Sequence, residues 1–171
     1  MNYPNLAWEQ RSEALWSALE TYEPEAFSVE IEKLVSELPD ESPLAAFERG
    51  CAQDSTGHSD LAVPLYRQAL RDGLQGIRRR RATIQLASSL RNVGQTGEAI
   101  QLLTAELQRT SDELDGAVRG FLALVLADVG REREGLGHSL AALASYLPRY
   151  NRSLARYASE LMQSEHRPSA A

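Results

Sequence analysis

Three glycines, Gly57, Gly94 and Gly130, stand 37 and 36 residues apart, each between two stretches whose apolar residues recur at helical spacing. A turn residue returning at such a period means that one supersecondary unit is stacked on copies of itself. The stretch "STGHSDLAVPLYRQAL" at 55–70 has its counterpart in "NVGQTGEAIQLLTAEL" at 92–107. Seven residues before each glycine comes a small residue, Gly50, Ala87 or Ala123, and five after it another, Ala62, Ala99 or Gly135. Small side chains at matched distances from a turn let the two helices of a hairpin approach closely. A bulkier residue follows at Tyr66 and Leu103, and a further small one at Ala69 and Ala142.

Runs rich in Ala, Leu, Glu, Arg and Gln, sparse in β-branched residues, predict an all-α chain. Leu61, Leu65 and Ala69, like Ile100, Leu103 and Leu107, carry the helical spacing. Pro24 opens one helix and Pro39 closes it, Ser42 and Pro43 cap the next, and Pro148 ends another. The expected helices span 5–22, 24–38, 43–55, 59–72, 76–93, 97–109, 112–129, 132–147 and 151–164, and "RPSAA" forms a frayed tail.

The small residues, the turn glycine and the bulky residue, matched best by Gly50, Gly57, Ala62, Tyr66 and Ala69, resemble the tetratricopeptide repeat. The match covers about 42–147, with units near 42–75, 76–110 and 111–147. Departures are Glu106 at a position where Ala is usual, Ser139 at the bulky position, and no early Trp in any unit. The resemblance implies a right-handed α–α superhelix of helical hairpins with helical caps at both ends. Residues 1–40 are read as the N-terminal cap, a hairpin with Leu15, Trp16, Leu19 and Tyr22 facing Phe27, Ile31, Leu34, Val35 and Leu38, and residues 148–171 as the C-terminal cap helix and tail. The chain is also similar to small bacterial proteins of unknown function made of little more than three such repeats, a likeness that implies a homodimer.

Composition narrows the chemistry. With 18 Lys+Arg against 24 Asp+Glu the net charge is −6, which repels nucleic acid and anionic lipid. The single cysteine, Cys51, has no disulfide partner, the first residues do not read as a signal peptide, and the longest apolar run, 121–129, is too short to cross a bilayer. A cytoplasmic chain is the expectation. His58, His138 and His166 are scattered singly, so neither a metal nor a cofactor is expected. "GLGHSLA" at 135–141 has the residues of a nucleophile elbow but a helix where a strand is required. "RRRR" at 78–81 fans through most of a helical turn and makes no single patch, with Glu41, Glu48 and Asp72 as candidate ion-pair partners. Two alternatives are kept: nucleic-acid binding through Arg78–Arg81, and an enzyme site assembled from His138, Glu134 and Arg119.

In the resembling fold the first helix of each unit lines the concave surface at spacing i, i+4, i+7, i+11. That stripe reads Leu44, Glu48, Cys51 and Ser55, then Arg81, Gln85, Ser88 and Asn92, then Ala117, Phe121, Leu124 and Asp128. Phe47 and Cys51 stand where a carboxylate clamp for chaperone C-termini needs Lys and Asn. The expected function is a non-enzymatic scaffold that binds a protein or peptide on this face. Glu48, Arg81, Gln85, Ser88, Arg91 and Asn92 form the partner site, with Arg81 and Arg91 opposite ligand acids. Phe121 and Leu124, on a helix apolar nearly all round, need a cover, either the C-terminal helix or a second chain.

Overall fold

The computed structural model describes residues 5–39, 41–109 and 111–163. Nine α-helices and a 3-10 turn, with no strand, make up the described residues. They are α1 (Leu6–Ser17), the 3-10 turn (Leu19–Thr21), α2 (Pro24–Val35), α3 (Pro43–Ser55), α4 (Ser59–Arg71), α5 (Gly76–Asn92), α6 (Thr96–Arg109), α7 (Asp115–Asp128), α8 (Glu132–Ala144) and α9 (Asn151–Gln163). The chain divides into two compact units, Met1–Ser89 and Leu90–Ala171, the division falling inside α5. His166 and the "RPSAA" tail lie outside the described residues.

The turn glycines do what their spacing demanded. Gly57, Gly94 and Gly130 have φ of +88°, +78° and +77°, a backbone that side chains other than glycine's rarely allow. The amide of the residue after each donates to a carbonyl five residues back: His58 to Gln53 at 2.8 Å, Gln95 to Leu90 at 2.8 Å and Arg131 to Leu126 at 2.9 Å. This is one helix-terminating motif used three times.

In unit 1, α3 and α4 form a close hairpin. Gly50 faces the Tyr66 ring so closely that a Cβ built on it would stand 2.9 Å from two ring carbons. Ala62, Tyr66 and Ala69 are fully buried. The core face of α4 is Ala62, Val63, Tyr66 and Ala69. Leu61, one of the residues that carry the helical spacing, is 49% exposed, because the facing helix is met by the small residues one position on. Phe27, Ile31 and Val35 of α2 pack with Ala45 and Ala52 of α3, and Leu15, Trp16, Leu19 and Leu38 lie against that cluster. The Trp16 and Phe27 rings meet edge to face, 4.9 Å between centroids.

The first helix is shorter than the expected 5–22. At its end the Ala18 amide is shared between the carbonyls of Ala14 and Leu15, which tightens the chain into the 3-10 turn. Asn5 caps α1, its side chain accepting from the Trp8 amide at 2.9 Å. Ser42 is the N-cap of α3 but makes no side-chain cap bond. Pro43 supplies the preset φ at the first helical position instead.

In unit 2, α7 and α8 pair as tightly. A Cβ on Gly135 would come within 2.8 Å of the Ala123 carbonyl oxygen. On Gly137 it would meet the Met162 side chain at 2.6 Å and the Ala158 carbonyl oxygen at 2.9 Å, so α9 rests on α8 through a glycine contact. Leu122, Val125 and Leu126 of α7 are buried.

Candidate functional site

Three helices of unit 1, α1, α3 and α5, line a polar cleft of about 430 Å³. From α1 come Glu9, Ser12, Glu13, Trp16 and Ser17, from α3 Glu48, and from α5 Arg78 and Arg81. On α1 the spacing of Glu9, Glu13 and Trp16 is i, i+4, i+7, one stripe of a helix. α1 is held in place by Trp8, which is buried and donates its indole N–H to the Leu34 carbonyl at 2.9 Å.

The charges in the cleft are tied to one another. Arg78 makes a two-pronged pair with Glu9, one arm 2.9 Å long and the other, between Nη2 and Oε2, shorter still. Its Nε also lies 4.0 Å from Glu48 Oε1. Glu48 is only 4% exposed, and its Oε2 accepts from the Trp16 indole N–H at 2.7 Å. Burial pushes the Glu48 carboxyl up, against the opposing pull of the Trp16 hydrogen bond and of Arg78 and Arg81. Arg81 is exposed, with its guanidinium 5.4 Å from the centroid of the Phe47 ring. Among the described residues no acid hydrogen-bonds to it.

The rest of the expected stripe in this unit is mixed. Gln85 is half-buried and accepts from the Cys51 thiol at 3.5 Å, and Ser88 is half-buried beside it in the helix. Burial, then the Glu48 charge, pushes the Cys51 thiol up to about 12, so it stays a thiol and is chemically quiet. Asp54 accepts from Ser89 Oγ at 2.8 Å and from Tyr66 Oη at 3.4 Å, joining α3, α4 and α5 behind the stripe.

The arginine run splits as its helical fan requires, but not into a wholly solvated face. Arg78 is paired, Arg81 is exposed, and Arg80 is 1% exposed. Of the acids expected to meet the run, Glu48 does. Glu9 is the partner outside the sequence-based expectation, because the repeat pattern says nothing of where α1 lies.

In unit 2, Arg91 is held by Asp128, Nε to Oδ2 at 2.5 Å and Nη2 to Oδ1 at 3.0 Å. The hydrogen bond and charge of this pair raise the arginine and hold the Asp128 carboxyl below its usual range. A ligand acid at Arg91 would therefore have to displace Asp128. Asn92 is exposed, Phe121 half-buried, and Leu124 48% exposed. α9, one of the two expected covers, packs on α8 and leaves Leu124 open.

The three residues of the alternative enzyme site do meet. Arg119 Nη1 lies 3.5 Å from His138 Nδ1, and His138 Nε2 lies 4.0 Å from Glu134 Oε1. Glu134 is engaged by Arg131 at 2.6 Å. Burial, then the charges of Arg119 and Arg131, drives His138 down to about 4 and keeps its ring neutral. Ser139, the hydroxyl of the "GLGHSLA" stretch, is exposed on the helix and stands in no strand-to-helix elbow.

Among the described residues no group of three His, Cys, Asp or Glu is placed to hold a metal ion, and no helix is long and apolar enough to cross a membrane. A model of the tetratrico peptide repeat family matches residues 43–161, from the start of α3 into α9. No curated protein and no solved structure matches the chain.

Proposed function

Because the chain belongs to the tetratrico peptide repeat family, whose repeats generally mediate protein–protein interaction, we propose that it is a non-enzymatic scaffold that binds an acidic protein or peptide segment on the first-helix face of its repeats. The repeats are taken at 42–75, 76–110 and 111–147, between the N-terminal hairpin and the C-terminal helix. One observation carries the reading: Arg81 is exposed and seated on the Phe47 ring, and no acid among the described residues hydrogen-bonds to it. A guanidinium fixed in this way presents its donor fork without ordering a long side chain on binding, and a ligand carboxylate meets it two-pronged. Glu48, Gln85 and Ser88 flank it, and Arg91 and Asn92 continue the α5 stripe. The paired state of Arg78 and the burial of Arg80 argue against nucleic acid as the partner.

The test is affinity capture from native cell extract, followed by measurement of the captured partner against Arg81→Ala. Loss of about tenfold or more in affinity is expected, since a hydrogen-bonded charge pair is worth that much. Undiminished binding by the folded variant would remove Arg81 from the site.

The same reading includes a homodimer through α7. It is supported by the exposure of Leu124 on a helix whose opposite side is core, and by the seating of α9 on α8. Light scattering at micromolar concentration is expected to give the dimer mass, and Leu124→Glu or Phe121→Glu the monomer mass. A wild-type monomer at high concentration would refute it.

A further inference from the structure

The cleft of unit 1 contains three carboxylates against two guanidiniums, and most of these charges are already spent on each other. Both oxygens of Glu9 are taken by Arg78. Glu48 is buried against the Trp16 indole N–H and Arg78. Two charges at the cleft are left over among the described residues: Arg81, without a hydrogen-bonded acid, and Glu13, exposed and without a cation. A lone anion would gain Arg81 but enter a lining with an excess of carboxylates, and a multiply charged phosphate would fare worse. A lone cation would gain Glu13 but face both arginines. A ligand that carries one charge of each sign meets a partner for each and leaves no carboxylate or guanidinium newly opposed.

From this charge pattern the geometry points to a binding site for a small zwitterion, an α-amino acid or a dipeptide, with its carboxylate on Arg81 and its ammonium on Glu13. The volume, about 430 Å³, lies in the range of small-molecule sites. The walls are fixed before a ligand arrives: Trp16 is tied to Glu48, Arg81 rests on Phe47, and Trp8 anchors α1 to α2. α1, which lies outside the matched repeats, thereby supplies half of a site. The inference goes beyond the partner-binding reading and shares Arg81 and Glu48 with it.

The test uses the full chain titrated with glycine, glutamate, lysine and glycylglycine, with acetate and ethylamine as single-charge controls. Calorimetry and the fluorescence of Trp16 report binding. At least one zwitterion is expected to bind saturably while acetate and ethylamine do not. Arg81→Gln and Glu13→Gln, both at exposed positions, are each expected to weaken it about tenfold or more with unchanged circular dichroism. Preference for glycylglycine over the single amino acids would mark a peptide end as the ligand, and the reverse a free amino acid. Absence of binding by every zwitterion, binding of acetate as tight as that of glycine, or indifference to both substitutions would overturn the inference. Glu13→Gln separates the two readings, because it is expected to weaken zwitterion binding and leave partner capture unchanged; if the wild-type chain binds no zwitterion while partner capture still depends on Arg81, this inference falls and the scaffold reading stands.

Discussion

Tyr66→Ala is expected to lower the unfolding free energy by about 3–5 kcal/mol, the usual result of removing a large aromatic ring from a packed core. Tyr66 is fully buried and its ring closes against Gly50. Gly50→Ala alone is expected to cost about 1–3 kcal/mol by overpacking, because its Cβ would stand 2.9 Å from ring carbons that have no room to withdraw. In the Tyr66→Ala background that cost should vanish, and the gain in helix propensity should turn the sign. Urea unfolding of the two single variants and the double variant completes the cycle. Additive effects would mean that the small and bulky positions of the first repeat do not face each other.

Acidification from pH 6.5 towards pH 4 is expected to destabilise the protein by up to about 3 kcal/mol through His138 alone. The folded-state value is depressed to about 4 by burial, Arg119 and Arg131, against an ordinary value near 6.5. Above pH 6.5 neither state holds the proton and the full stability is present. Between the two values the unfolded chain binds a proton that the native chain refuses, so stability falls as pH falls. The side chain is 12% exposed, so solvent screening takes little away, although Glu134 at 4.0 Å works in the opposite direction. Glu48 has the opposite sign: its raised carboxyl makes ionisation costly in the native state, so its own contribution improves as pH falls. Comparison of wild type with His138→Gln isolates the histidine. The variant should lose most of the slope between pH 6.5 and 4.5, above the range where the lowered carboxyls of Glu32, Glu37 and Asp128 titrate. An unchanged slope would place the acid sensitivity elsewhere.

The repeat was legible in the sequence because its signals are local. A glycine that must adopt positive φ, a proline at the first position of a helix and a small residue that must admit a neighbouring backbone each carry their meaning in one position, which is why Gly57, Gly94 and Gly130 marked the hairpins. Helix ends were less legible where two carbonyls competed for one amide, as at Ala18. The cleft was half legible. Glu48 and Arg81 followed from the first-helix stripe, but Glu9, Glu13 and Trp16 did not, since nothing in α1 resembles the repeat. Their signal was present all the same: an arginine run needs acids, and α1 carries Glu9 and Glu13 on the face of Trp16. That Arg91 would be engaged by Asp128, 37 residues on, could not be read, because an ion pair between helices depends on their placement rather than on spacing within either one.

On the proposed function, a protein partner binds the first-helix face around Arg81. The most direct measurement is the amide spectrum of the isotope-labelled chain as the captured partner is added. Shifts concentrated at Glu48, Arg81, Gln85 and Ser88, with Val29, Leu61 and Arg71 on other surfaces unmoved, are the predicted result. Shifts confined to those other surfaces, with the Arg81 face silent at saturation, would contradict it.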